Sequence, residues 1–147
     1  MKNALRISCS RGNLKAVRDF VAASLLDCNL STLQLNQIVL AVDEVVANLI
    51  IHANGEDESQ YLDLAIDIED HLFAIEIFDN AATYYRPSTY HEPDLSEFIR
   101  LGKRGGVGMT LVNRIMDRVE FSSNGSRNVC RLYKHLTPFT ESNSAGQ

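Results

Sequence analysis

Glu44 and Asn48 stand four residues apart in the stretch Leu35 to Ala53, LNQIVLAVDEVVANLIIHA. At helical pitch that spacing stacks them on one face, with His52 a step further on. A carboxamide oxygen is a hard donor of the kind magnesium takes, alongside waters and phosphate oxygens. Asn48 is therefore a candidate metal ligand, and Glu44 a candidate acceptor for the proton of an attacking hydroxyl or water. The plainer alternative is that Glu44 pairs with a basic side chain on the helix surface.

Two further groups of residues have chemistry to offer. Asp79 closes an alternating apolar stretch, and a buried carboxylate there suits an exocyclic amine such as that of adenine. An acceptor left without its donor is costly, which is how such a site rejects the wrong base. The alternative is a turn aspartate followed by Asn80. The run Gly102-Lys103-Arg104-Gly105-Gly106-Val107-Gly108 opens a helical pattern. Its glycines let backbone amides approach an anion, and Lys103 and Arg104 add positive charge. It is not a Walker A loop, since the spacing and the final Lys-Ser/Thr are missing. Taken alone, it reads equally well as a flexible linker with a glycine cap.

These residues need a scaffold. Leu35, Ile38, Val39, Val42, Val45, Val46, Leu49 and Ile50 cover most of a helical cylinder, which predicts a helix buried on nearly all sides. Ser31 with Gln34 is a capping-box start, and Asn54-Gly55 a stop. Before it, Ala4 to Ser8 predicts a short strand and residues 13–27 an amphipathic helix. After it, Leu62, Leu64, Ile66 and Ile68 alternate with polar or small residues, and so do Phe73, Ile75 and Ile77. Glu69-Asp70-His71 joins these two runs, predicting an antiparallel hairpin. Residues 81–106 show no sustained period, with a short helical turn expected around Asp94 to Leu101. Val107, Leu111, Val112, Ile115 and Met116 predict another helix. Val119 to Ser122 and Asn128 to Lys134 predict a last hairpin about Asn124-Gly125. The order predicts an α+β sandwich, a mainly antiparallel sheet with helices on one face. Asp63 and Asp67 would lie on its other, water-facing side. Residues 1–139 are expected to form one domain, and 140–147 a polar tail.

The 147 residues suffice for one sizeable core. A formal net charge of −5 argues against direct nucleic-acid binding, which needs a basic face. No continuous apolar run reaches membrane-spanning length, and the first residues lack a signal-peptide core. Cys9, Cys28 and Cys130 have no metal-ligand spacing and read as reduced thiols of a cytoplasmic protein. The four histidines show no metal spacing either.

Set in order, the three groups match known boxes. Asp43 to Ala53, DEVVANLIIHA, resembles the N box of the GHKL ATPase superfamily. Phe78 to Ala81, FDNA, resembles the G1 box, and Gly105 to Val112, GGVGMTLV, the G2 box. Asn113 to Phe121, NRIMDRVEF, is similar to the helix and strand that follow in one subfamily. From about Leu5 to Tyr133 the chain resembles the anti-sigma-factor serine kinases of the RsbW/SpoIIAB type.

The resemblance implies a two-layer Bergerat-type ATP-binding sandwich. On it, Asn48 would hold Mg2+, Asp79 and Ala81 would line the adenine site, and Glu44 would be the catalytic base. Lys103, Arg104, Gly105, Gly106, Val107, Gly108, Met109 and Thr110 would border the phosphates of ATP. The implied partners are a sigma factor and a STAS-domain anti-anti-sigma factor, phosphorylated on serine, with the chain a homodimer. One departure stands out: Ala81, Ala82 and Thr83 follow Asp79-Asn80 where the family usually has glycine. It motivates an alternative, a binding module with little or no catalysis that acts by protein contact. A histidine-kinase catalytic domain fits less well, because the sequence offers no phospho-accepting histidine helix.

Overall fold

A computed structural model describes residues 2–80, 105–124 and 126–138, with residues 105–107 as backbone only. Ala81, Lys103, Arg104, the turn expected around Asp94 to Leu101 and the tail from Thr140 lie outside the described residues. The chain runs β1 (Lys2–Ser8), α1 (Leu14–Ser24), α2 (Thr32–Asn48), β2 (Tyr61–Glu69), β3 (Leu72–Asp79), α3 (Gly105–Ile115), β4 (Arg118–Ser123) and β5 (Asn128–His135).

Five strands form one sheet in the order β1-β2-β3-β5-β4, every neighbouring pair antiparallel. The period-two runs set its two faces. Leu62, Leu64 and Ile66 of β2, and Phe73, Ile75 and Ile77 of β3, are buried. Leu64 pairs with Ile77 and Ile66 with Ile75, so both runs point to the helices together. The opposite face carries Asp63, which accepts from Arg6 at 2.7 Å and from Arg127 at 3.0 Å. The expected sandwich, with a polar outer sheet face, is what forms. The β2–β3 hairpin turns on Asp70 and His71, at φ 52° and 62°. Two successive positive φ values match the right-handed strand twist in a two-residue loop.

Helix α2 starts as its sequence predicts. Ser31 Oγ accepts from the backbone N–H of Gln34 at 3.1 Å. The reciprocal half of the capping box is spent elsewhere, because Gln34 Oε1 accepts from the Thr137 N–H at 3.0 Å. Ser31→Ala should therefore cost about 1 kcal/mol of stability, read as a lower urea midpoint at unchanged slope. An unchanged midpoint would mean that water caps the helix equally well.

The end of α2 differs from expectation. Leu49–Ala53 widens into a π-helical turn. The N–H of Asn54 bonds to the Leu49 carbonyl at 3.0 Å, and its side-chain Nδ2 bonds the same oxygen at 2.8 Å. A π turn lets the helix close on that carbonyl while Gly55 turns away at φ 58°. Burial is also less complete than the pattern implies: Leu33 and Leu40 are 69% and 42% exposed. Their side lies away from the sheet, whereas Ile38, Ala41, Val42, Val45 and Val46 are buried. Counting the π turn, Thr32–Ala53 is 22 residues and contains an 18-residue stretch of mean hydropathy 1.4, long and apolar enough by composition to cross a membrane. Asp43 and Glu44 interrupt the apolar run within it. In the fold that apolar surface meets the core, with α1 and α3 packed alongside.

The first helix is shorter than residues 13–27. A 3-10 turn at Arg11–Asn13 precedes it and another at Leu26–Cys28 follows, ending on Asn29 at φ 52°. The first strand is longer, beginning at Lys2 and pairing with Asp67 of β2.

Candidate nucleotide site

The last turns of α2 carry the acid and the amide at different depths. Asn48 is 7% exposed and Glu44 is half-buried. Asn48 follows Val45 and Val46 into the core layer, and its Nδ2 has no hydrogen-bond partner among the described residues. A buried carboxamide without a partner is costly. Turned about its last bond, the same group presents its oxygen, so the position fits a hard cation that would satisfy it.

Glu44 looks toward α3. A β-carbon built on Gly108 would run into Glu44 Oε2 and lie 3.3 Å from its Cδ. The carboxylate thus rests on the bare backbone of α3 one turn in from its start. Burial pushes the Glu44 carboxyl above its ordinary value, and the negative charge of Asp43 pushes it the same way. The basic side chain nearby serves the neighbour instead, with Arg18 of α1 paired to Asp43 at 3.0 Å. Among the described residues Glu44 makes no ion pair.

Asp79 closes β3 on the buried face and is 3% exposed. Its Oδ1 accepts from Asn128 Nδ2 at 2.7 Å across the β3–β5 pair. Asn128 is a polar neighbour of Asp79 that residue order does not announce. Only the pairing of Asp79 with Asn128 reveals it, and nothing in local patterning announces which strand lies beside β3. Two thiols sense the same region. Burial raises Cys9 to about 11, aided by the charges of Asp79 and Asp57. Burial and Asp79 also raise Cys130. A raised thiol is mostly protonated near neutral pH and is a poor nucleophile.

The glycine-rich segment enters the described residues at Gly105, where α3 begins. Gly105, Gly106 and Val107 form its first turn, the place where free backbone N–H groups point out of a helix. Met109 is 6% exposed and belongs to the core, so a ligand would meet its backbone alone. Thr110 is half-buried. The structure therefore brings Glu44 together with Gly108, and puts Asn48 and Asp79 in the layer between helices and sheet. Among the described residues no group of three or more histidine, cysteine or acidic side chains gathers as a metal site.

Solved structures share this architecture. The RsbU and RsbW domains of a Mycobacterium tuberculosis protein align at a TM-score of 0.64 and 12% identity, over 95% of this chain and 34% of that one. The histidine kinase AdeS of Acinetobacter baumannii aligns at 0.52 and 12%, over 92% of this chain and 68% of that one. The open-sheet sandwich is thus a fold this chain shares with both.

The chain belongs to the Histidine kinase-like ATPase domain family, whose profile matches residues 7–134. Membership implies an ATP site. Among curated relatives, the anti-sigma F factor of Anoxybacillus flavithermus is 28% identical over 134 residues, 90% of this chain and 91% of that protein. The anti-sigma F factor of Bacillus cytotoxicus is 26% identical over 141 residues, 96% of this chain and 94% of that protein.

Proposed function

We propose that this protein is a cytoplasmic anti-sigma factor that is also an ATP-dependent serine kinase, working by partner switching. In one state it holds a sigma factor, and in the other it phosphorylates a STAS-domain antagonist on serine. The relatives named anti-sigma F factor support the first half over nearly the whole chain. The observation that carries the second half is the Glu44 carboxylate, half-buried with its ordinary value raised, lying against the start of α3.

In this reading Asp79 accepts from the adenine amine, and the 102–108 segment offers backbone N–H groups and the charges of Lys103 and Arg104 to the phosphates. Asn48 holds Mg2+, which neutralises phosphate charge when bound. Glu44 takes the proton of the incoming serine hydroxyl. The serine oxygen forms a bond to the terminal phosphorus, the bond to the bridging oxygen breaks, and ADP leaves with that electron pair. Positioning and charge do most of the work in such a transfer. A homodimer is part of the proposal, on family resemblance.

Titrating ATP with and without magnesium tests the site. Magnesium should tighten binding by about tenfold in the wild type and not at all in Asn48→Ala. A variant that kept the magnesium increment would remove Asn48 from the metal. The second reading, a contact-only module, is favoured by Ala81-Ala82-Thr83 in place of glycine. A β-carbon there takes space that glycine leaves open. Absence of binding at millimolar ATP with magnesium would select that reading.

A further inference from the structure

We infer that Gly108 is a positioning residue whose missing side chain is the seat of the Glu44 carboxylate. This rests on the reading of Glu44 as the base. The geometry is specific: of the described glycines whose added β-carbon meets another residue, Gly108 alone meets a carboxylate, through Oε2, Cδ and Cγ in turn. The Cγ stands 3.9 Å from that β-carbon, an ordinary contact, so the conflict is confined to the charged tip.

Two consequences of opposite sign follow. A tip clash is relieved by rotating a flexible side chain, so an added methyl moves Glu44 rather than unfolding α3. Replacing a helical glycine by alanine also removes backbone freedom from the unfolded chain, which favours the helix. Gly108→Ala is therefore expected to keep or gain stability while displacing the acid. A base shifted by about an ångström loses catalysis steeply, on the order of a hundredfold.

A double-mutant cycle tests this. Gly108→Ala, Glu44→Ala and the double variant are compared for phosphotransfer from ATP to a STAS-domain protein, for ATP affinity and for melting temperature. The expected result is a kcat reduced about a hundredfold in Gly108→Ala, with KM for ATP within a few-fold of wild type. In the Glu44→Ala background the glycine substitution should change kcat no further. Glu44→Asp, which withdraws the carboxylate by one methylene, should recover part of the loss when combined with Gly108→Ala.

Melting supplies a readout independent of activity. Gly108→Ala should raise the melting temperature by about 3 °C more when Glu44 is alanine than when it is glutamate. Equal shifts in the two backgrounds would overturn the seat, whatever the enzyme does. Weakened ATP binding of the same size in both backgrounds would overturn it too, assigning the glycine to the phosphates. A wild type without phosphotransfer but with the coupled melting shift would sink the kinase reading and leave the contact standing.

Discussion

Glu44→Gln is expected to slow phosphate transfer to a protein serine by about a hundred- to ten-thousand-fold, the usual range for losing a general base, while ATP binding survives. Glutamine keeps the shape of the side chain against Gly108 and removes only its capacity to accept a proton. The same change should alter stability with a definite sign. Burial and Asp43 raise the Glu44 carboxyl in the folded state. A group raised on folding contributes its full stability below its unfolded value of 4.5, and that contribution is lost as pH rises through the folded value. At pH 7 the ionised carboxylate is therefore a burden to the fold, and Glu44→Gln should melt higher than wild type. The difference should shrink toward zero below the unfolded value. Single-turnover transfer with labelled ATP gives the first result, and melting curves across pH the second. Transfer at the wild-type rate would remove Glu44 from the chemistry. A melting difference independent of pH would remove the buried charge from the explanation.

Asp79→Ala should weaken ATP binding by about 1–3 kcal/mol, roughly five- to a hundred-and-fifty-fold. The carboxylate is buried beside the end of β3 and already holds Asn128 at 2.7 Å. A carboxylate is an acceptor of the kind that the amine of adenine requires. Removing it also takes away an acceptor of Asn128, so lost affinity alone would not separate recognition from local collapse. Inosine triphosphate does, because it lacks the exocyclic amine. Wild type should prefer ATP over the inosine nucleotide, and Asp79→Ala should bind the two alike and weakly. Equal affinities in the wild type would show that Asp79 does not read the base.

Much of this was legible in residue order because the relevant forces are local. Alternation in β2 and β3 commits Leu64 and Ile75 to one sheet face whatever lies opposite, since successive side chains point to opposite sides. Ser31 announces the start of α2 because a hydroxyl satisfies an N–H only three residues away. The stacking of Glu44 and Asn48 needs nothing beyond helical pitch. Other features depend on partners far along the chain. The π turn at Leu49–Ala53, the pairing of Arg18 with Asp43, and the use of Gln34 by Thr137 are settled by packing, which no local pattern encodes. So is the depth of each member of the pair. Asn48 is driven inward beside Val45 and Val46, and Glu44 is left at the edge where α3 crosses. Residue types alone determined that an acid, an amide and a glycine-opened helix exist in this chain. That the acid rests on Gly108, and that Asn128 stands beside Asp79, was decided only when helices and strands remote in sequence were brought together to bury a shared apolar core.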